Sequence, residues 1–377
     1  MLPEYDAVIA GSGIIGVSIA YHLAGLGMKV ALLDQSGPAA GATGAADGAV
    51  SVCSKKSVSM AKFSSLGLDY FQELSKPGAV LDGVFHTRPS FYFATNAAEN
   101  AVLDNLPSKL ADLSGSVRVK GNNRASKISG LGACVDRVVE VSGEGHMIGY
   151  QAVNRFLSAD FTKIWPCEVV GFDESSKNVV ISTSKGRLMA THFILATGTS
   201  AAQLAPELQI FPRAGQLIVT DRETSRKRLQ GNLVSASYLL SKGAKDGQSR
   251  TPPIVIDPLS TGQYLIGSSR ENHGHINRTD FETVRALLSR AAQCFTPLLN
   301  RRIIRVFSGI RAAVADGLPI IGPLRPGSKV FVAAGFEGDG ISLSAIVGRE
   351  VSNALTGKSL LADLAPFSPQ RFMTDAA

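Results

Sequence analysis

The stretch "IAGSGIIGVSIAYHL" at positions 9–23 decides the fold of this 377-residue chain. It joins the end of an apolar run to three glycines, Gly11, Gly13 and Gly16, and then to an apolar segment with helical spacing. The first glycine permits a tight turn, the second lets the backbone approach a pyrophosphate, and the third lets the helix pack closely on a sheet. We therefore predict a strand, a turn and a helix that bind a dinucleotide. Because such a string also arises by chance, the rest of the chain must support it.

A second apolar run, "KVALLD" at positions 29–34, ends in Asp34. An acid about 20 residues beyond the glycine turn is placed to accept hydroxyl protons of an adenosine ribose, and it would repel a 2′-phosphate. The small-residue loop "GPAAGATGAADGAV" at 37–50 follows where a nicotinamide-binding domain normally starts its next helix. This loop favours a flavin dinucleotide, and a flexible surface loop is the alternative.

Composition indicates a folded α/β protein, with 45% hydrophobic and 18% charged residues. The sequence contains no apolar stretch of the ~18–20 residues that a bilayer span needs, and no basic leader with a cleavage site, so we expect a cytoplasmic location without a transmembrane segment. The net charge of +7 comes from scattered basic residues. We therefore expect no nucleic-acid partner, and attraction of small carboxylates is the milder possibility.

The four cysteines show no C-x-x-C pairing, and His273 and His275 have no third ligand at matching spacing. We expect no metal site and mostly buried, reduced thiols.

Four ordered blocks resemble the D-amino-acid oxidase and glycine oxidase family of FAD-dependent amine oxidoreductases. The first is the N-terminal site with its small-residue loop. The others are "CEVVGFD" at 167–173 with "THFILATGTSA" at 191–201, "SGIRAAVADGLPIIGPL" at 308–324, and "VFVAAGFEGDGISLSAIVGREVSNALTG" at 330–357. The resemblance implies an α/β fold with a discontinuous Rossmann-like FAD-binding domain and a second, substrate-binding domain built on a mixed β-sheet.

The positions of these blocks suggest the domain limits. Residues 1–75, 145–205 and 305–372 would form the FAD-binding domain, and 76–144 and 206–304 the substrate-binding cap. Within the cap, a helix from Thr279, with Thr279 as its cap and Glu282 three residues later, is expected to pack behind the sheet. The polar segment 222–250 is open to several interpretations: a mobile lid, an insertion or a subunit contact.

The resemblance also implies which residues bind the cofactor, FAD. They are Gly11, Gly13, Ile14, Ile15, Gly16, Asp34, Gln35, Ala42, Thr43, Gly48, Val169, Ala196, Thr197, Gly198, Gly335, Gly338, Asp339, Gly340 and Ile341.

Arg311 matches the arginine that binds the substrate carboxylate in this family. A guanidinium suits this task because its fork makes two parallel hydrogen bonds. Relatives usually have proline and other residues where Ala312 and Ala313 stand, and an ion pair at a strand end is the alternative role. Arg270 is a second possible carboxylate ligand, against an ordinary surface ion pair.

Several positions near the flavin raise further hypotheses. Phe336 stands where relatives often have His, and Asp339 would point to solvent or face a cationic substrate or partner group. Lys55 and Lys56 would meet the isoalloxazine, or the phosphate of a second flavin such as FMN at a subunit interface. Two exposed loop lysines are the alternative.

Shorter strings at 52–74, 211–220 and 262–272 look most like β subunits of heteromeric dehydrogenases for D-hydroxyproline, proline or opines. These pair with a larger flavoprotein and iron–sulfur components. The implied activity is oxidation of the C–N bond of a secondary or D-configured amino acid by hydride transfer to flavin. A stand-alone glycine or D-amino-acid oxidase that uses oxygen and a noncatalytic flavin-binding scaffold are the alternatives.

Overall fold

The computed structural model describes residues 2–55, 57–111, 113, 117–120, 128–224, 228–241, 253–267, 269–276 and 278–373. Lys56 and parts of the segment 222–250 lie outside these described residues.

The strands and helices alternate in the N-terminal part and around residues 320–355, and strands dominate between. The strands are β1 (Glu4–Ala10), β2 (Val30–Leu33), β3 (Ala49–Val50), β4 (Phe85–Thr87), β5 (Ser90–Ala94), β6 (Arg118–Val119), β7 (Arg137–Ser142), β8 (Gly145–Met147), β9 (Thr162–Ile164), β10 (Val169–Glu174), β11 (Val179–Thr183), β12 (Gly186–Leu195), β13 (Phe211–Thr220), β14 (Asn232–Ser235), β15 (Val255–Pro258), β16 (Tyr264–Gly267), β17 (Ile303–Ala313), β18 (Ile320–Pro323) and β19 (Val330–Ala334). The α-helices are α1 (Ile14–Gly25), α2 (Val58–Leu74), α3 (Ala97–Asp104), α4 (Leu106–Ala111), α5 (Gly149–Phe156), α6 (Ala201–Leu204), α7 (Ser237–Ser241), α8 (Phe281–Cys294) and α9 (Gly340–Leu355).

The first sheet has the strand order β10-β11-β12-β1-β2-β9, and β19 pairs with the end of β12 and with β18. Strands β1, β2, β9, β12 and β19 run parallel in their shared pairs. Parallel strands end at one edge of a sheet, so the turns that follow β1, β2, β12 and β19 converge there. This confirms the Rossmann-like part of the predicted fold.

Helices α1 and α9 cover one face of this sheet. Their apolar residues are continuous with those of α2 and of strands β1 and β2 in one buried core. The helices approach closely because Gly348 of α9 has no side chain: a Cβ there would lie 2.2 Å from Ser18 Oγ and 2.9 Å from the Ser18 carbonyl oxygen.

The second sheet has the order β17-β13-β16-β15-β14-β5-β7-β6. Strand β14 pairs parallel with β5, and the remaining pairs are antiparallel, so the predicted mixed sheet is confirmed. Helix α8 packs behind it, burying Leu287 and Ala291 with Ile218 and Ile266 of the sheet. A short third sheet has the order β3-β8-β4.

The predicted cap of α8 is wrong by one residue. Asp280, not Thr279, is the N-cap, and its carboxylate accepts hydrogen bonds from the amides of Glu282 and Thr283. An aspartate caps at least as well as threonine and is better placed here, directly before the first helical residue.

Strand β17 belongs to the second sheet, where it pairs along its length with β13. The predicted division instead places residues 305–372 in the FAD-binding domain. A strand that leaves the second sheet and returns the chain to β18 and β19 of the first sheet connects the two units, so the domain limits stay a prediction.

Within the described residues, no helix has the length and apolar character needed to cross a membrane. In the same part of the chain, no group of three or more metal-binding side chains comes together, and His273 contacts Glu271 at 3.0 Å. All four cysteines are free; Cys53, Cys167 and Cys294 are buried, and Cys134 is exposed.

We expect the substitution Gly348→Ala to destabilise the protein by about 1–3 kcal/mol, because the added methyl group overpacks the α1–α9 contact. Gly25→Ala on α1 is the matched control, since a Cβ there meets no atom within 4 Å. Urea unfolding measures both free energies of unfolding. Equal values for the two variants would contradict the proposed close contact.

Candidate active site

A cavity of about 720 Å³ opens at the edge where the parallel strands of the first sheet end. It runs from Asp34 past the glycine turn to the face of β13 and β17. Most residues predicted to bind FAD line this one cavity: Gly11, Gly13, Ile14, Ile15, Asp34, Gln35, Ala42, Thr43, Val169, Ala196, Thr197, Gly198, Gly335, Gly338, Gly340 and Ile341.

The glycine turn is held by backbone contacts that leave no room for side chains. Gly11 has a φ of +104°, and a Cβ there would lie 2.3 Å from the carbonyl oxygen of Ala196. A Cβ on Gly16 would lie 1.9 Å from the carbonyl oxygen of Gly11. Gly16 does not line the cavity, so its role is the close packing of α1 on the turn.

Asp34 stands at the end of β2 and organises the backbone beside it. Its carboxylate accepts hydrogen bonds from the amides of Ser12 (2.7 Å), Ser36 (2.8 Å) and Gly37 (2.8 Å). A carboxylate has about four lone-pair sites, so about one stays open to the cavity. Asp34 therefore has room for one ribose hydroxyl in addition to the amides it already binds.

These features fit an FAD molecule. The N-terminal end of α1 and the small residues of the loop expose backbone to the cavity. Among the lining residues from Ala10 to Gln35, Asp34 is the one acidic residue. Among the described residues, Thr197 Oγ1 is a buried hydroxyl without a hydrogen-bond partner at the cavity wall. A buried hydroxyl of this kind normally has a partner, which a bound dinucleotide would supply.

Two other predicted cofactor positions lie away from the cavity wall. Gly48 has a φ of +88°, and a Cβ there would lie 2.5 Å from the carbonyl oxygen of Met147, so this glycine shapes the turn into β3. Asp339 lines a small neighbouring pocket instead.

The turn Gly335–Asp339 ends β19 and begins α9. Gly335 has a φ of +71°, and Glu337 has a φ of +48° and an ion pair of 2.7 Å with Arg213. The amide of Glu337 also donates to the carbonyl oxygen of Ala312 on β17. Gly340 and Ile341, the first residues of α9, line the cavity, and a helix N-terminus stabilises negative charge.

The small pocket adjoins the large cavity and carries the predicted substrate-binding arginines. Its lining residues are Met60, Tyr238, Arg270, Arg311, Gly317, Glu337, Gly338 and Asp339. Tyr238, Arg311, Glu337 and Gly338 line both spaces, so the two are continuous.

Arg311 lies on β17 opposite Arg213 of β13. Its Nη1 donates to the carbonyl oxygens of Ser269 (3.2 Å) and Ala214 (3.3 Å). Gly215 leaves the space for this side chain, because a Cβ there would lie 2.3 Å from Nη1. Burial lowers the pKa of Arg311. Arg311 is therefore an inward-facing guanidinium held by backbone carbonyls at the end of the cavity.

Arg270 lies beside it. Its guanidinium sits 5.3 Å from the ring centroid of Tyr238, and it lowers the pKa of Arg311 in addition to the larger effect of burial. Within the described residues no carboxylate forms an ion pair with Arg270. Two guanidinium groups therefore share one pocket, and the role of Arg270 stays a prediction.

Lys55 is not an exposed loop lysine. Its side chain is 1% exposed, and Nζ forms an ion pair of 2.6 Å with Asp339 Oδ1. Asp339 thus faces Lys55 instead of solvent. A buried ammonium cannot present itself at a subunit interface, so Lys55 does not support an FMN site there, and Lys56 lies outside the described residues.

A buried carboxylate that sequence reasoning missed fixes the loop before Lys55. Glu144 accepts hydrogen bonds from Ser51 Oγ (2.7 Å) and from the amides of Val52 and Cys53 (both 2.8 Å). Glu144 lies in the two-residue gap between β7 and β8, distant in sequence from this loop, and no local pattern connects them.

Tyr238 and Asp47 were also missed, although both line the large cavity. Tyr238 follows β14 in a segment without a recognisable motif. Asp47 carried a signal, since it is the one acid in the small-residue loop at 37–50.

Comparison with known proteins gives the family of this chain. The family model DAO, FAD dependent oxidoreductase, matches residues 6–354. Glycine oxidase of Geobacillus kaustophilus is 25% identical and the alignment covers 98% of each chain. A hydrogen cyanide synthase subunit of Pseudomonas protegens is 24% identical over 99% of this chain and 98% of the relative.

Solved structures show the same fold. The crystal structure of glycine oxidase from Geobacillus kaustophilus superposes with a TM-score of 0.86 at 24% identity, covering 98% of this chain and 99% of that one. L-proline dehydrogenase from P. horikoshii gives 0.85 at 18% identity and 99% of both chains. With the family model spanning nearly the whole sequence, this chain belongs to the DAO family of FAD-dependent oxidoreductases.

Proposed function

We propose that this FAD-dependent oxidoreductase oxidises the C–N bond of a secondary or D-configured amino acid, of the D-hydroxyproline, proline or opine type. The observation that carries the proposal is the half-buried guanidinium of Arg311, which lines both the large cavity and the small pocket. A relative named glycine oxidase and a structural neighbour named L-proline dehydrogenase support an amino acid substrate.

The residues of this chain would bind and orient the substrate. The planar fork of Arg311 matches a carboxylate with parallel hydrogen bonds, and this contact would fix the direction of the adjacent Cα–H bond. FAD held in the cavity would supply the redox chemistry, as the acceptor of that hydrogen. Apolar cavity residues, including Leu217 and Ile310, exclude water from the reacting atoms.

Other groups would hold the cofactor and its charge. The glycine turn and Asp34 would bind the adenylate half, and the loop residues Ala42 and Thr43 would lie along the dinucleotide. The first turn of α9, beginning at Gly340, would stabilise the negative charge that a reduced flavin carries.

The second guanidinium favours one part of this substrate range. Arg270 lies in the same pocket as Arg311 and has no carboxylate partner within the described residues. A substrate with a second anionic group would neutralise it. An opine carries two carboxylates on one secondary amine, whereas proline and hydroxyproline carry one.

The chain is proposed to act as the β subunit of a hetero-oligomeric dehydrogenase with a larger flavoprotein and an iron–sulfur component. A 24% identical relative is itself named as a subunit, of hydrogen cyanide synthase. Relatives named glycine oxidase support the alternative of a stand-alone oxidase, and a noncatalytic flavin-binding scaffold is the remaining one. A cytoplasmic location stays a prediction.

Anaerobic addition of substrate to the purified, FAD-loaded chain tests the proposal. With a panel of an opine, proline, D-hydroxyproline, glycine and sarcosine, we expect at least one to bleach the visible flavin bands, because hydride transfer reduces the flavin. The same substrate in air should yield peroxide only slowly if the chain is a dehydrogenase subunit. Rapid peroxide formation would establish the stand-alone oxidase instead. If no compound bleaches the flavin, the noncatalytic flavin-binding scaffold is the hypothesis that remains.

Replacing Arg311 by lysine keeps the charge and removes the fork. Losing a bidentate, charge-assisted contact worth ~1.5–3 kcal/mol should raise KM about 10- to 100-fold. Steady-state kinetics with the substrate identified above measure this. Arg305→Lys on the exposed part of the same strand is the control and should change KM little. An unchanged KM in Arg311→Lys would exclude the carboxylate contact.

A further inference from the structure

Asp47 is an acidic residue of the cavity without an assigned part in cofactor or carboxylate binding. Asp47 lines the large cavity at the end of the small-residue loop, between that loop and β3. Asp47 is half-buried and forms part of the cavity wall.

The loop that carries Asp47 lies against the strand that carries Arg311. Gly309 makes the contact possible, because a Cβ there would lie 2.8 Å from Ala45 Cβ and 3.3 Å from the Ala45 carbonyl oxygen. Residues two apart in a strand share one face. Gly309 and Arg311 are therefore on the same face of β17, and the loop 45–47 covers that face next to the guanidinium.

Two hydrogen bonds and the conformation of Gly48 fix Asp47. Its Oδ1 accepts a hydrogen bond from the amide of Ala49 (3.2 Å). Its carbonyl oxygen accepts one from His146 Nε2 (3.1 Å). Gly48 between them has a φ of +88° and no room for a Cβ, which would lie 2.8 Å from His146 Nε2. The orientation of the carboxyl group is thus set before any ligand binds.

Titratable and charged side chains on β8, β15 and β17 lie around Asp47. Burial raises its pKa, and the Asp257 carboxylate of β15 adds to this, while the hydrogen bond from the Ala49 amide and the charge of Arg311 on β17 oppose it. Arg88 forms an ion pair with Asp257, and burial lowers the pKa of His146 to about 3, so His146 is neutral. Asp47 is therefore a carboxyl group that can gain and lose a proton beside the site of a substrate carboxylate.

We infer that the Asp47 carboxylate accepts the proton that the substrate ammonium must lose before it is oxidised. The inference rests on the proposed function, because it requires an amino acid bound through Arg311. The carboxylate and the amine of an amino acid are separated by a single carbon atom. When the substrate carboxylate binds Arg311, the substrate ammonium is consequently held next to the part of the cavity wall that Arg311 and Asp47 both form.

The step is a proton transfer. One N–H bond of the ammonium breaks, its electron pair stays on nitrogen, and the proton binds a carboxylate oxygen of Asp47. The lone pair that is set free becomes the second bond of the C=N product when the Cα hydrogen leaves with its electron pair to the flavin. An ammonium has no lone pair and cannot form this bond, so a positioned base increases the reactive fraction at neutral pH.

The test compares flavin reduction in wild type and Asp47→Asn over a range of pH, by anaerobic stopped-flow absorption. Asparagine keeps an oxygen for the Ala49 amide and removes the titration. In the wild type, the reactive pair is the Asp47 carboxylate with the substrate ammonium. As the pH decreases, the rate of flavin reduction should therefore fall only below the pKa of Asp47. In Asp47→Asn the reactive form is the free amine, so the fall should move up to the alkaline pKa of the substrate.

We expect reduction to be at least about tenfold slower in Asp47→Asn at neutral pH, and the two rates to converge at alkaline pH. A constant ratio of the two rates at every pH would overturn the inference, since a structural defect slows the reaction without moving the profile. Absence of reduction in the wild type is a different outcome, because it would refute the proposed function itself.

A binding measurement gives a readout that does not depend on turnover. The probes are 2-aminoisobutyrate, which has no Cα hydrogen to lose, and isobutyrate, which has the same carboxylate and no ammonium. Perturbation of the flavin spectrum reports both affinities. Asp47→Asn should bind 2-aminoisobutyrate about tenfold more weakly, because it loses a charge-assisted contact, and should bind isobutyrate as well as the wild type or better. Equal losses for both probes would contradict a contact between Asp47 and the ammonium.

Discussion

The contact between the glycine turn after β1 and the end of β12 is the constraint on which the site depends. Gly11 touches the backbone of Ala196 and of Gly16 so closely that any side chain at Gly11 or Gly16 would collide with a carbonyl oxygen. This contact brings the N-terminus of α1, the carboxylate of Asp34 and the β12 end to one edge of the parallel sheet. Backbone atoms, which no substitution removes, thus form the part of the cavity that suits a pyrophosphate.

The second sheet contributes the guanidinium of Arg311 to the cavity. Strand β17 runs along β13 and then returns the chain to the parallel sheet, so its Arg311 faces the cavity from the opposite side. Two glycines allow this approach: Gly215 leaves space for Arg311, and Gly309 leaves space for Ala45. The pocket between the sheets is electrostatically mixed: Arg270 and Arg311 are cationic, while Asp339 is neutralised by Lys55 and Glu337 by Arg213. An anion such as a carboxylate therefore finds two guanidinium groups there whose neighbouring acids are already paired.

Sequence alone predicted the parts of this arrangement that depend on local spacing. The glycine turn, Asp34, the loop at Ala42 and the turn at Gly335 are contiguous motifs, and they line the cavity as a set. The ion pair between Lys55 and Asp339 joins residues 284 positions apart, and the anchoring of Ser51 by Glu144 spans 93, so neither leaves a local pattern. The loop sequence alone does not predict a role for Asp47, because that role depends on how the loop lies over Gly309. The role of Arg270 as a carboxylate ligand stays a prediction, and only the fold shows that it shares a pocket with Arg311.

The most direct test of the account is the cofactor content of the purified chain. Protein purified under native conditions should show the visible absorption bands of a flavin, and the cofactor released by denaturation should be FAD at one molecule per chain. Removal of the flavin followed by titration with FAD should restore the bands. A colourless chain that takes up no FAD on titration would contradict the account at its foundation, since every role given to Asp34, Asp47 and Arg311 presupposes that cofactor.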